Sequence, residues 1–160
     1  MAQNVEDIFA KFDSSAAEGF HGEKYLTFFI GEQLYAIPSS HVTEIIRMQT
    51  ITFMPKLPSY IKGVINLRGK IVPVIDLRLK LNMPSIEYDE HTSIIIVETA
   101  DTSVGLVVDG VNDVPEISDD QISDLPKLSK ESSYKFATQV ATVEDKTTML
   151  LDIAHVVSHS

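Results

Sequence analysis

Three carboxylates, Asp76, Asp109 and Asp152, each follow an apolar run. A pair of carboxylates meeting at strand ends is what general acid–base catalysis requires. Asp76 and Asp152 also fall at equivalent positions of the internal repeat described below. That equivalence favours one structural task done twice, the bonding of backbone N–H groups in a turn. The histidines (His21, His41, His91, His155 and His159) are scattered, and only His155 with His159 has the i,i+4 spacing of metal ligands. A terminal pair without a third ligand does not make a zinc site. Cysteine is absent, which removes disulfides, thiolate metal sites and a Cys nucleophile together. The segment GVINLRG, 63–69, has glycines too far apart to cradle a phosphate and reads as a hairpin. No catalytic residue, metal or cofactor is expected.

The charge balance points the same way. Lys plus Arg total 13 against 23 Asp plus Glu, a net charge of −10, which opposes binding to phosphate backbones and anionic lipid. With 44% apolar residues in 160, the chain can build a sizeable core. No apolar run approaches the ~18 residues of a membrane span, and the N-terminus lacks the basic and apolar regions of a secretory signal. A cytoplasmic protein that works by recognition is expected, without nucleic acid and without membrane insertion.

The elements that must position a recognition surface are mostly strands. Residues 1–22 form a tail in which Val5, Ile8, Phe9 and Phe12 share one face of a short amphipathic helix. Beyond it, β-branched and aromatic runs punctuated by Gly, Pro and Asp predict strands over 25–30, 34–37, 64–66, 71–77, 93–99, 104–108, 138–143 and 148–153. Short helical spans are expected at 40–46, with Val42, Ile45 and Ile46 on one face, and at 153–157. Another turn of helix is expected after Ser118, where Ser118 and Gln121 form a capping box and Ile117 and Ile122 a hydrophobic staple.

Shifting the sequence against itself exposes a repeat. At an offset of 69, Phe28 falls on Val97, Tyr35 on Val104, Val42 on Val111, Glu44 on Asp113 and Ile45 on Val114. At 76, Tyr60 falls on Phe136, Val64 on Val140, Lys70 on Lys146 and Asp76 on Asp152. The chain therefore reads as two copies of one all-β unit, about 24–81 and 91–157, within a domain spanning 23–160. Each copy is expected to close into its own small barrel, which removes exposed sheet edges.

The segment Ser59 to Lys80, SYIKGVINLRGKIVPVIDLRLK, resembles the signature region of the CheW-like family of bacterial chemotaxis coupling proteins. The likeness extends to Tyr25–Ile30 with Gly31, to Tyr35-Ala36-Ile37, to Val42-Thr43-Glu44-Ile45, and to Ser103–Val114, SVGLVVDGVNDV. It covers about Tyr25 to Val157, with Ala137 standing where the family usually carries a glycine. The resemblance implies an all-β fold of two SH3-like five-stranded barrels packed together, with a few short helices and no enzymatic activity. It also implies partners: the cytoplasmic tips of chemoreceptors (methyl-accepting chemotaxis proteins) and the regulatory domain of a chemotaxis histidine kinase. By motif position Val42, Glu44, Ile45, Arg68 and Gly105 are the candidate receptor-binding residues. Helix-to-barrel packing is the alternative for Val42 and Ile45, a solvated face for Glu44, a strand glycine allowing close backbone approach for Gly105, and an ordinary solubilising charge for Arg68. An excised regulatory domain of a larger chemotaxis kinase or coupling–receiver protein is the alternative reading of the whole chain.

Overall fold

A computed structural model describes residues 23–99, 102–125 and 136–157. The expected helix in the tail lies outside the described residues. The strands are β1 (Glu23–Ile30), β2 (Gln33–Pro38), β3 (Val42–Arg47), β4 (Ile61–Leu67), β5 (Lys70–Asp76), β6 (Ser93–Glu98), β7 (Ser103–Val108), β8 (Gly110–Asp113), β9 (Glu116–Ile117), β10 (Ile122–Asp124), β11 (Ala137–Val143) and β12 (Lys146–Leu151). Two short helices, α1 (Leu77–Lys80) and α2 (Ile153–Val157), follow β5 and β12. The 3-10 turn Asp119–Gln121 carries the capping box of Ser118 and Gln121.

The strands form two sheets, ordered β3-β6-β7-β5-β4 and β10-β11-β12-β2-β1-β8, with β9 added beside β1. The all-β class is as expected, but the division of the chain between the two β units is not. The five-stranded sheet joins β3, β4 and β5 of the first copy to β6 and β7 of the second. The larger sheet joins β1 and β2 of the first copy to β8, β11 and β12 of the second. The two copies have thus exchanged their opening hairpins, and the sequential division at 24–81 and 91–157 does not describe either sheet. The repeat itself holds at the level of register. The parallel pair β5·β7, with Val74 opposite Gly105, recurs as β12·β2, with Leu150 opposite Ala36.

Strand alternation explains why the central strands are buried on both faces. In β6, Ile94 and Ile96 point into a cluster with Ile65, Val72, Val74 and Val107, inside the five-stranded sheet. Ile95 and Val97 point the other way, into a larger cluster shared by both sheets with Phe28, Tyr35, Leu106 and Val111. Ala36, Ile117, Ala141 and Leu150 fill the inside of the second sheet. The largest core is therefore the layer between the sheets, and the exchange of hairpins commits both copies to it.

The helix expected over 40–46 is a 3-10 turn, Ser39–His41, followed by strand β3. A bulge misled the periodicity. Val42 pairs with Val97 and Glu44 with Ile96, so Thr43 is an extra residue. That insertion puts Val42 and Ile45, three apart, on the same side of a strand, which is the spacing of a helix face. Ile46 packs instead against the other cluster. The second copy repeats the device, with a register shift opposite Thr27 and Phe28 placing both Val111 and Val114 in the inter-sheet layer.

Candidate functional site

The hairpin β4–β5 turns at Arg68 and Gly69, both with positive φ (52° and 87°). This is the backbone of a tight two-residue turn whose twist suits the flanking strands. Asn66 Oδ1 accepts from the Gly69 N–H at 2.8 Å and fixes the turn. Arg68 therefore projects from the hairpin tip with its side chain 70% exposed. It reaches across the sheet opening to Glu44 on β3, whose side chain is 23% exposed. Nη1 donates to Glu44 Oε1 at 3.1 Å, and Nη2 donates to Oε2 in the same fork. The hydrogen bond, and then the charge of Glu44, raise the already high pKa of Arg68. Because β3 and β4 are the two edge strands of the five-stranded sheet, the pair bridges its free edges.

This bridge spans an open groove. Lys70 on its wall donates from Nζ to Ser103 Oγ at 2.9 Å, Glu98 supplies a second carboxylate, and Val72 and Ile96 form the apolar floor. Two cations and two anions thus rim a groove with a hydrophobic base.

The other sequence candidates lie below the surface. Val42 and Ile45 are buried in the layer between the sheets. Gly105 is a strand residue where a Cβ would come within 2.8 Å of Ile94 Cγ2, so its lack of a side chain admits the interior packing of β6. The structure therefore brings together Glu44 and Arg68 as a surface pair and places Val42, Ile45 and Gly105 as packing residues. Sequence reasoning missed Lys70, Glu98 and Ser103. Their signal was available: Lys70 directly follows the turn residues of the 63–69 hairpin, and Glu98 and Ser103 flank the short gap between the strands predicted over 93–99 and 104–108.

Asp76 and Asp152 share one backbone arrangement. The Asp76 N–H donates to Tyr60 C=O at 2.8 Å, and the Asp152 N–H donates to Phe136 C=O at 2.9 Å. Asp76 Oδ1 then caps α1 by accepting from the Arg78 N–H at 2.9 Å. Buried Asp76 also accepts from Tyr88 Oη at 2.8 Å. Burial, and then this bond, push the Tyr88 phenol far above its ordinary value. These are structural duties of the kind the repeat had suggested. Ala137, at the glycine position, opens β11 beside a register shift in its pairing with β12. The first copy has the matching shift between Ile61 and Gly63.

Two curled sheets sharing a core, built from exchanged hairpins and carrying a charged hairpin tip, define a small recognition scaffold. The chain matches the CheW-like domain over residues 24–160 and belongs to that family. It is 36% identical over 137 residues to the chemotaxis protein CheW of Klebsiella aerogenes, covering 86% of this chain and 82% of that one. It is 37% identical over 131 residues to the chemotaxis protein CheW of Bacillus subtilis, covering 82% and 84%. A crystal structure of the scaffolding protein TtCheW from Thermoanaerobacter tengcongensis superposes with a TM-score of 0.76 at 33% identity, covering 82% of this chain and 89% of that one. Among the described residues no helix is long and apolar enough to cross a membrane.

Proposed function

We propose that this chain is a non-enzymatic cytoplasmic adaptor that couples the cytoplasmic tips of chemoreceptors to the regulatory domain of a chemotaxis histidine kinase. Its role as a chemotaxis scaffold follows from its family. The contact with the receptor falls at the Glu44–Arg68 bridge, with Val42, Ile45 and Gly105 acting through packing that fixes the paths of β3 and β7.

The observation that carries this placement is the pair of equivalent turns. Arg68 and Glu144 occupy matching hairpin tips with nearly identical φ, 52° and 51°. The turn accepts either charge, so the turn itself does not select the cation at 68. A planar guanidinium with five donors suits recognition of carboxylates and carbonyls on a partner. The test is Arg68→Glu, with receptor affinity and melting temperature both measured. The expected result is a loss of ~1–2 kcal/mol in receptor binding, the scale of an interface hot spot, with a melting temperature shifted no more than by an ordinary surface change. Unchanged receptor affinity and unchanged kinase activation would remove Arg68 from the interface.

A further inference from the structure

Among the described residues five large apolar side chains are exposed, and three of them, Phe53 (75%), Met54 (44%) and Leu57 (43%), stand in the one loop, 48–60, between β3 and β4. The backbone on either side of them is fixed. Ile51 packs into the interior of the five-stranded sheet, and Thr52 exchanges backbone hydrogen bonds with Val64 of β4 at 2.8 and 2.9 Å. Further along, the Ile61 N–H donates to Pro58 C=O at 3.0 Å. Pro55 and Lys56 make the turn between, with Lys56 at φ 66°. Proline followed by a positive φ is the arrangement of a type II turn, which brings its outer residues, here Met54 and Leu57, within ~7 Å. Apolar side chains gathered in one place, rather than scattered singly, mark an interaction surface.

Charge singles out what covers it. From Ile45 to Ile75 the sequence holds five cations, Arg47, Lys56, Lys62, Arg68 and Lys70, and neither Asp nor Glu, in a chain of net charge −10. Arg68 is engaged by Glu44 and Lys70 by Ser103. Lys56 is the exposed cation of the turn itself. Lys62 stands beside Met54 in the antiparallel register that pairs Thr52 with Val64, with its ammonium 5.9 Å from the centre of the Tyr88 ring. Residues 4–13, outside the described residues, are the complement within the same chain. Val5, Ile8, Phe9 and Phe12 share one helical face, and Glu6 and Asp13, seven apart, run along one border of it. Residues 1–22 carry four carboxylates, Glu6, Asp7, Asp13 and Glu18, against the single cation Lys11. The intervening residues 14–22 can span up to about 30 Å, against a radius of gyration of about 14 Å for a domain of this size.

We infer that the loop 48–60 is the docking site of the chain's own segment 4–13, bound as an amphipathic helix. Its apolar face lies on Phe53, Met54 and Leu57, with Glu6 and Asp13 toward Lys56 and Lys62. A helix this short is marginal alone in water, so its formation and its docking are one event. The tether makes a weak contact sufficient, since a short flexible linker supplies an effective concentration of about 1 mM and half-fills a contact of that dissociation constant. Any partner of the loop must then displace the tail. This inference does not rest on receptor coupling through Arg68, and either can fail alone.

The chain has no cysteine, so Ala10→Cys provides one site for a nitroxide label, on the polar side of the segment. In the full chain the label should broaden the amide NMR signals of Phe53, Met54, Lys56 and Leu57, equally at every dilution. Phe9→Ser with Phe12→Ser should abolish the broadening. Phe53→Ser with Leu57→Ser should do the same at an unchanged melting temperature, because both side chains are exposed. Lys56→Glu should reduce it at least twofold, and Glu6→Lys added to that variant should restore it. Three results would overturn the inference. Broadening of an isotope-labelled chain by a separate nitroxide-bearing chain would make the contact one between copies. Loop shifts with phosphatidylserine vesicles, in a protein whose own label leaves the loop untouched, would assign the surface to lipid. Broadening that survives both pairs of serine substitutions would mean that the apolar faces do not meet.

Discussion

Arg78 and Asp109 form a forked ion pair that joins the two sheets at one corner. Arg78 Nε donates to Asp109 Oδ1 and Oδ2 at 3.0 and 3.1 Å, and Nη2 donates to Oδ2 at 2.6 Å. Arg78 sits on α1, which directly follows β5 of the five-stranded sheet, and Asp109 lies between β7 and β8, where the chain crosses to the larger sheet. Asp109 Oδ2 also accepts the Gly31 N–H at 2.6 Å, in the turn between β1 and β2. One carboxylate therefore fixes a helix, a crossover and a hairpin turn belonging to both sheets.

Arg78→Ala should lower stability by ~1.5–3 kcal/mol in urea denaturation, the range for hydrogen bonds to charged groups. Arg78→Lys should recover less than half of it, because an ammonium cannot reproduce the fork. Full recovery with lysine would mean that charge alone matters at this corner.

Tyr88 should give the protein an alkaline sensitivity. Its phenol is held neutral in the folded state by burial and by donation to Asp76. In the unfolded chain it ionises near pH 10. A pKa raised on folding contributes stability that is fully present below the unfolded value and is lost as pH rises toward the folded one. Stability should therefore fall above about pH 10, and Tyr88→Phe should flatten that fall while lowering stability at neutral pH through the donor lost to buried Asp76. Parallel pH–stability curves for the two proteins would exclude this role.

Glycines 63 and 105 should respond differently to alanine. A Cβ on Gly63, at φ 147°, would lie 2.1 Å from the Thr52 carbonyl oxygen, in the bridge that Thr52 forms with Val64. Backbone cannot give way there, so Gly63→Ala should cost more than ~3 kcal/mol. At Gly105 the nearest atom is the Cγ2 of Ile94, a side-chain methyl, and overpacking of this kind costs about 1–3 kcal/mol. Thermal unfolding of both variants measures the contrast. A loss of receptor coupling in Gly105→Ala should track its loss of stability, since the position presents no side chain to a partner.

The strands and turns were legible because each is a local matter of alternation, β-branching and Gly, Pro or Asp punctuation. Even the equivalence of Arg68 with Glu144 could be read from an offset of 76. What the sequence concealed was non-local. Both copies carry the same pattern, so nothing in it says whether β5 pairs with the β2 of its own copy or with β7 of the other. Pro73 is an instance. It stands one residue before the pairing of β5 with β7 begins at Val74, so its missing N–H falls where that neighbour is absent. The spacing of Val42 and Ile45 was ambiguous for a different reason, since a one-residue bulge imitates helical periodicity. Of the candidate site, the charged pair was legible by type, whereas the burial of Val42, Ile45 and Gly105 followed from which sheet covered them.

The Glu44–Arg68 pair admits a test that separates orientation from direct contact. Arg68 donates to Glu44 through Nη1 and Nη2, one bond each, and a guanidinium carries five N–H donors, so donors remain for a partner. If the pair only held the sheet edges together, the exchange Glu44→Arg with Arg68→Glu would restore coupling by rebuilding the bridge in reverse. With Arg68 in direct contact, the exchange should keep the melting temperature of the wild type and still lose ~1–2 kcal/mol of receptor affinity. Arg68→Lys should lie between, keeping the charge but not the fork. A double-mutant cycle on receptor binding measures this, and wild-type affinity in the exchanged protein would reassign Arg68 to a positioning role.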